Sequence, residues 1–244
     1  MLNAICAYRS LIYHPTLTLL CPSSTAQWGK HTPVANETYR LSHKTAKDGN
    51  VDSTAIFPAV TIRDPAAWMH SMCRHEYAME WPHDERHCPN LVPTATDAEL
   101  DPTFLLDDHN SNIPIEIQYA DFLQPHDSLI HHWNEWYTAY AQAPFPRVLV
   151  RFEDLIFHAR AVTTAVCECA GGTLENRPFQ FITGSAKHGQ SHGAGRTGYV
   201  DAIVRYGSDR GRWRNMTQQD LAFTREHLDR DIMTTFGYHY PSSP

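Results

Sequence analysis

The chain has 244 residues, 42% of them hydrophobic, enough for one large domain or two small ones with a substantial core. A net charge of −7 argues against a general nucleic-acid binder, which would carry a basic excess, but leaves room for a basic pocket around one small anion. No run approaches the roughly 18 apolar residues of a membrane-spanning helix, and six cysteines in this length do not make a dense disulfide scaffold.

Residues 1–50 are weakly patterned and are set apart from a domain expected over 51–244. Short apolar pieces around Leu11 and Leu17–Leu20 are interrupted by His14-Pro15 and lack a clean basic leader, which speaks against a signal peptide or anchor. AIFPAVTI (55–62) reads as a buried strand that Pro58 bends at its start. Pro65 suits the first turn of a helix running to about His75. Residues 81–112, rich in Pro, Asp, Asn and His, read as a long surface excursion. A helix over about 126–141 carries Leu129, Trp133, Trp136, Tyr137 and Tyr140 at helical spacing, the pattern of a core-facing side.

RVLVRF (147–152) is a second buried strand. Glu153-Asp154 open the following helix, where carboxylates suit the positive end, and Gly171-Gly172 end it. Residues 184–198 are glycine-rich and polar. The last helix starts at Thr217, with Asp220 three residues on in the manner of a capping box. Strands alternating with helices predict an α/β fold of three layers, a mostly parallel sheet with helices on both faces.

The stretch TIRDPAAWMHSM (61–72) carries the first chemical signal. Ligands of an open parallel sheet bind at the carboxyl ends of its strands, and Arg63 stands there. Ser71 follows eight residues later, where a helix starting near Pro65 can turn it toward the same crevice. A guanidinium fork and a hydroxyl aimed at one point suit a phosphate, although Arg-Asp-Pro also occurs as a salt-bridged turn. The stretch resembles the Arg-Asp-Pro segment of sulfotransferases that use 3′-phosphoadenylyl sulfate (PAPS). VLVRFEDLIFH (148–158) resembles that family's strand and Tyr/Phe-Glu-Asp-Leu helix start. The segment from Tyr206 to Pro241 resembles its C-terminal part, with Gly211-Arg212-Trp213 matching Gly-x-Trp.

The resemblance covers about residues 55–240 and implies a P-loop-type three-layer α/β fold. It also implies transfer of a sulfuryl group from PAPS to a hydroxyl or amine, with Arg63 and Ser71 on the nucleotide's 3′-phosphate and no metal required. RYGSDRGRWR (205–214) makes chemical sense beside it: four arginines and two glycines in an acidic chain suit an anion approached closely by backbone. Arg205, Arg210, Gly211, Arg212 and Trp213 are the candidates there. The family's arginine five residues before Gly211 is replaced by Tyr206, so Arg205 and Arg210 compete for its role.

The family's glycine- and lysine-containing loop for the 5′-phosphosulfate has no counterpart in this sequence. Before Arg63 there are only Gly29 and Gly49, neither in a suitable context. The N-terminal half of the site is therefore incomplete or lost. In TAQWGKHTPV (25–34), Lys30 and His31 resemble a Lys-His segment in which histidine is the general base on the acceptor and lysine steadies the sulfuryl oxygens. The acceptor, a small molecule or a carbohydrate, is not readable; the excursion at 81–112 is where its specificity is expected.

Other constellations compete. Cys73, His75, His83, His87 and Cys88 leave three readings open: a structural zinc site, a Cys73–Cys88 disulfide, or two free thiols. The disulfide would imply the Golgi lumen or secretory pathway, and free thiols the cytoplasm. Cys167 and Cys169, two apart on a helix, point in different directions and are not expected to pair. GAGRTG (193–198) matches Gly-x-Gly-x-x-Gly but follows no strand, and reads as a decoy loop. Of the two glycosylation patterns, at Asn36 and Asn215, the second lies beside the expected phosphate loop, where a glycan would obstruct. Two further classes stand beside the transferase: a non-catalytic relative acting as a binding or scaffold protein, and a zinc-stapled interaction domain built on 73–88.

Overall fold

The computed structural model describes residues 59–74, 76, 78–83, 86–100, 112–119, 122–144, 147–169, 178–179, 198–207 and 212–241. They divide into two compact units. The first holds residues up to Arg63 together with 136–184, and the second holds 64–135 with the residues from 185 on.

In the first unit, β1 (Ala59–Ile62) pairs in parallel with β5 (Val148–Arg151), in a register that sets Ala59 beside Val148 and Ile62 beside Arg151. Both are β-branched, apolar runs. Val148, Val150 and the helical residues Leu155, Val162, Val166 and Cys167 form one buried cluster. The chain leaves β5 directly into helix α4 (Phe152–Phe157), so Phe152, expected to end the strand, begins the helix instead. The single helix expected after Glu153 is two. His158 departs from helical backbone while its N–H still reaches the Asp154 carbonyl at 2.6 Å, and α5 (Ala159–Cys169) begins afresh.

Helix α3 (Leu129–Gln142) has Trp136–Gln142 in this unit. Its C-terminal carbonyls, which no helical N–H can reach, accept from the buried Arg147: Nη1 to Ala143 at 2.6 Å and Nη2 to Ala141. Burial lowers the pKa of that guanidinium below its ordinary value.

In the second unit, α1 (Pro65–Arg74) starts at a proline, whose missing N–H costs nothing there. Its end at Arg74 agrees with the expectation of about His75, a residue outside the described ones. A three-stranded antiparallel sheet follows, in the order β2 (Met79–Glu80), β3 (Ile115–Gln118), β4 (Leu123–His126). This sheet was not expected, and the first residue of the expected 126–141 helix belongs to it. Pro125 is tolerated because β4 is an edge strand. Among the described residues the parallel pair is thus the smaller of two sheets; the α/β class holds, with a small parallel sheet.

Of the excursion expected over 81–112, the described residues 81–83 and 86–100 end in α2 (Ala95–Leu100), and 101–111 lie outside the described residues. Asp97, fully buried, accepts from Asn90 Nδ2 at 2.7 Å and from the Thr94 N–H and hydroxyl at 2.7 and 2.6 Å. Leu129, Trp133, Tyr137 and Tyr140 of α3 are buried, as the helical spacing predicts, Trp136 is only half-buried, and Ile130 is buried besides.

The C-terminal helix is also two, α7 (Gln218–His227) and α8 (Arg230–Phe236). The expected capping box at Thr217 and Asp220 is present in both directions. The break has a tertiary cause: Asn134 of α3 donates to the His227 carbonyl at 2.6 Å and accepts from the Asp229 N–H at 3.0 Å. Gly237 then takes φ 62°, the left-handed turn that glycine adopts without strain. Among the described residues no helix is long and apolar enough to cross a membrane.

Candidate functional site

Asp64, immediately before α1, is 1% exposed and has both carboxylate oxygens occupied. Oδ1 accepts from the Ala67 N–H at 3.0 Å, the bond of a helix cap. Oδ2 accepts from Arg212 Nη1 at 2.8 Å. The second nitrogen of that guanidinium reaches the Tyr206 carbonyl at 3.4 Å. One turn further along α1, His70 Nε2 lies 3.0 Å from the Arg212 carbonyl oxygen. A carbonyl only accepts, so Nε2 is the protonated nitrogen. The turn Arg212–Asn215 is therefore fixed to α1 at two heights, and the residue after His70 is the half-buried Ser71. All of this lies within the second unit.

Arg212, a candidate anion-binding cation, has its charge opposed by Asp64. Trp213 beside it is partly buried. Arg205, expected in a loop, stands on helix α6 (Tyr199–Tyr206), which begins at Gly198, the last residue of the decoy GAGRTG. Tyr206, where the family would have arginine, is 6% exposed. Lys30, His31, Arg210 and Gly211 lie outside the described residues.

Arg63 closes the first unit, and Ser71 belongs to the second. The carboxyl end of the parallel strand pair carries more chemistry than the sequence pattern suggested. Arg63 Cζ lies 5.3 Å from the centre of the Phe152 ring, within cation–π range. Arg151 ends the neighbouring strand beside Ile62. Tyr137, buried, donates its hydroxyl to the Thr61 carbonyl at 3.2 Å. Burial pushes its pKa well above the ordinary phenol value, against the pull of the Arg63 charge. Glu153 and Asp154, next along the chain, are buried. Burial raises the Asp154 pKa too, opposed by Arg151, whose Nε is 4.0 Å away. Arg151 was not singled out from the sequence, and Tyr137 reads there only as a core-facing residue; an arginine closing each of two strands was the available signal.

Of the three readings for Cys73 and Cys88, the disulfide is the one formed, with Cα atoms 5.7 Å apart. Cys167 and Cys169 are disulfide-bonded as well, and among the described residues no cysteine is free. A histidine relay also escaped the sequence reading. His126 Nδ1 contacts Glu135 Oε2 at 2.6 Å, and its Nε2 lies 3.1 Å from His132 Nδ1. No protein-family model matches the chain, and neither does any curated protein or solved structure.

Proposed function

We propose that the chain is a sulfotransferase-like protein that binds the 3′-phosphate of PAPS and moves its sulfuryl group to a hydroxyl or amine of a small-molecule or carbohydrate acceptor. The observation that carries the reading is the double attachment of Arg212 to α1. Two segments whose resemblance to sulfotransferases was read separately, 142 residues apart from His70 to Arg212, are joined through Asp64 and His70. Arg63 at the end of a parallel strand, with a helix starting two residues later, adds to it.

On this reading Arg63 and Ser71 serve the 3′-phosphate, and the Asp64–Arg212 pair sets the Gly-x-Trp turn. The acceptor oxygen or nitrogen attacks sulfur as the bond to the phosphate oxygen breaks. The acceptor's proton goes to His31, and adenosine 3′,5′-bisphosphate leaves. Lys30 stands by the sulfuryl oxygens. Positioning and charge stabilisation, rather than redox chemistry, supply the rate. The Cys73–Cys88 disulfide favours the Golgi lumen or secretory pathway as the compartment.

The second reading, a non-catalytic relative, is favoured by the missing glycine-lysine loop before Arg63. Incubation with sulfur-labelled PAPS and a panel of carbohydrate and small-molecule acceptors separates the two. Label transferred by the wild type and not by Arg63→Ala supports the enzyme. Nucleotide binding without transfer supports the non-catalytic relative, and neither binding nor transfer overturns both.

A further inference from the structure

His83 is buried, and the ring is held from two sides. It stacks on Trp81 with centroids 3.7 Å apart and planes 24° apart. Its Nδ1 is 2.7 Å from the Trp81 carbonyl oxygen and 3.8 Å from Glu76 Oε1. The carbonyl at 2.7 Å can only accept, so Nδ1 carries the proton and Nε2 presents a lone pair. That lone pair faces Cys88 Sγ at 3.7 Å. A disulfide sulfur has no proton to give it. The sulfurs of Cys73 and Cys88 and a ring nitrogen of His83 all lie within 4.8 Å of one another.

A carbonyl and a carboxylate behind Nδ1 are the outer partners that orient and strengthen a metal-ligating histidine. Two thiolates and one imidazole are a zinc donor set, and two zinc–sulfur bonds of about 2.3 Å at a tetrahedral angle put the sulfurs roughly 3.8 Å apart. Opening the disulfide supplies that spacing. Among the described residues His87 is engaged by Asp220 at 2.8 Å, and the proposed site gives its fourth position to water or an external ligand.

We propose that Cys73, His83 and Cys88 form a redox-gated zinc site, independent of the sulfuryl-transfer reading. In the oxidised chain the two sulfurs bond to each other. A dithiol reductant gives two electrons and two protons to the disulfide and leaves as its own disulfide. A zinc(II)-class ion then displaces the two thiol protons and takes His83 Nε2 as its third protein ligand. The metal replaces the covalent tie between α1 and the excursion, so the excursion stays tethered in either state.

Cobalt(II) titration of the full chain, oxidised and after anaerobic phosphine reduction, tests this. The reduced wild type is expected to show sulfur-to-cobalt charge transfer and the intense visible bands of tetrahedral coordination. It should take up one more ion than a reduced Cys73→Ser/Cys88→Ser variant, and zinc should displace the cobalt. The oxidised chain should show none of this. His83→Ala should weaken uptake at least about tenfold, and His83→Cys should keep it with stronger charge transfer. Circular dichroism and melting of the oxidised variants check that they fold. Equal uptake by the oxidised and reduced chains, no uptake by the reduced wild type, or a folded His83→Ala indistinguishable from wild type would overturn the proposal.

Discussion

The guanidinium of Arg212 lies 2.8 Å from the carboxylate of Asp64, across 148 residues of chain, and the aspartate is 1% exposed. The same aspartate caps α1 through the Ala67 N–H. Breaking a buried pair by removing one partner typically costs about 3–5 kcal/mol, because the other charge is left uncompensated. Arg212→Ala is therefore expected to lower unfolding free energy by about that amount in urea denaturation, with Arg212→Lys losing less. Asp64→Asn retains the acceptor for Ala67 and should lie between them. A change under about 0.5 kcal/mol for Arg212→Ala, the ordinary range of a surface substitution, would show that the pair does not hold the turn.

Asp220 gathers a second set of contacts. Fully buried, it accepts from the backbone N–H groups of Leu91 and Val92 at 3.0 Å each, from the Thr217 N–H and hydroxyl at 2.8 and 2.7 Å, and from His87 at 2.8 Å. Asp220→Ala leaves several buried donors without an acceptor, each costing about 1–3 kcal/mol. Hydrogen exchange is the sensitive readout. The Leu91 and Val92 amides should lose protection by at least about tenfold, while those of α5, in the other unit, should change little.

The buried Asp154 makes stability depend on pH in a defined direction. Burial raises its folded pKa above the unfolded value, with Arg151 pulling it back only in part. The unfolded chain therefore ionises first, and stability from this group falls as pH rises through the folded pKa. Asp154→Asn cannot ionise. Its stability relative to wild type should grow as pH is raised from about 3 toward 7, read by guanidinium denaturation at each pH. A difference that shrinks over that range would mean the Arg151 interaction outweighs the burial.

Much of the frame was legible because it is local. The β-branched runs at 59–62 and 148–151, Pro65, and the Thr217–Asp220 capping box each announce an element within a few residues. The antiparallel sheet was not legible: β2 has two residues, and Pro125 in β4 reads as a turn unless its edge position is known. The split between α7 and α8 depends on Asn134, more than 90 residues upstream. The partnership of Arg212 with Asp64 could not be read from spacing either. The sequence supplied residue types suited to an anion, and only tertiary structure decides that one of those arginines faces an aspartate. The Cys73–Cys88 bond lay among three readings for the same reason, since spacing alone does not bring two sulfurs together.

The most direct test of the proposed nucleotide site is calorimetric titration of adenosine 3′,5′-bisphosphate into the wild type, Arg63→Ala and Ser71→Ala. Charge-assisted hydrogen bonds to phosphate of about 1.5–3 kcal/mol predict saturable binding by the wild type, weakened at least about tenfold in Arg63→Ala and less in Ser71→Ala. Wild-type protein that takes up no nucleotide, or an Arg63→Ala variant that binds as tightly as wild type, would contradict the proposed 3′-phosphate site.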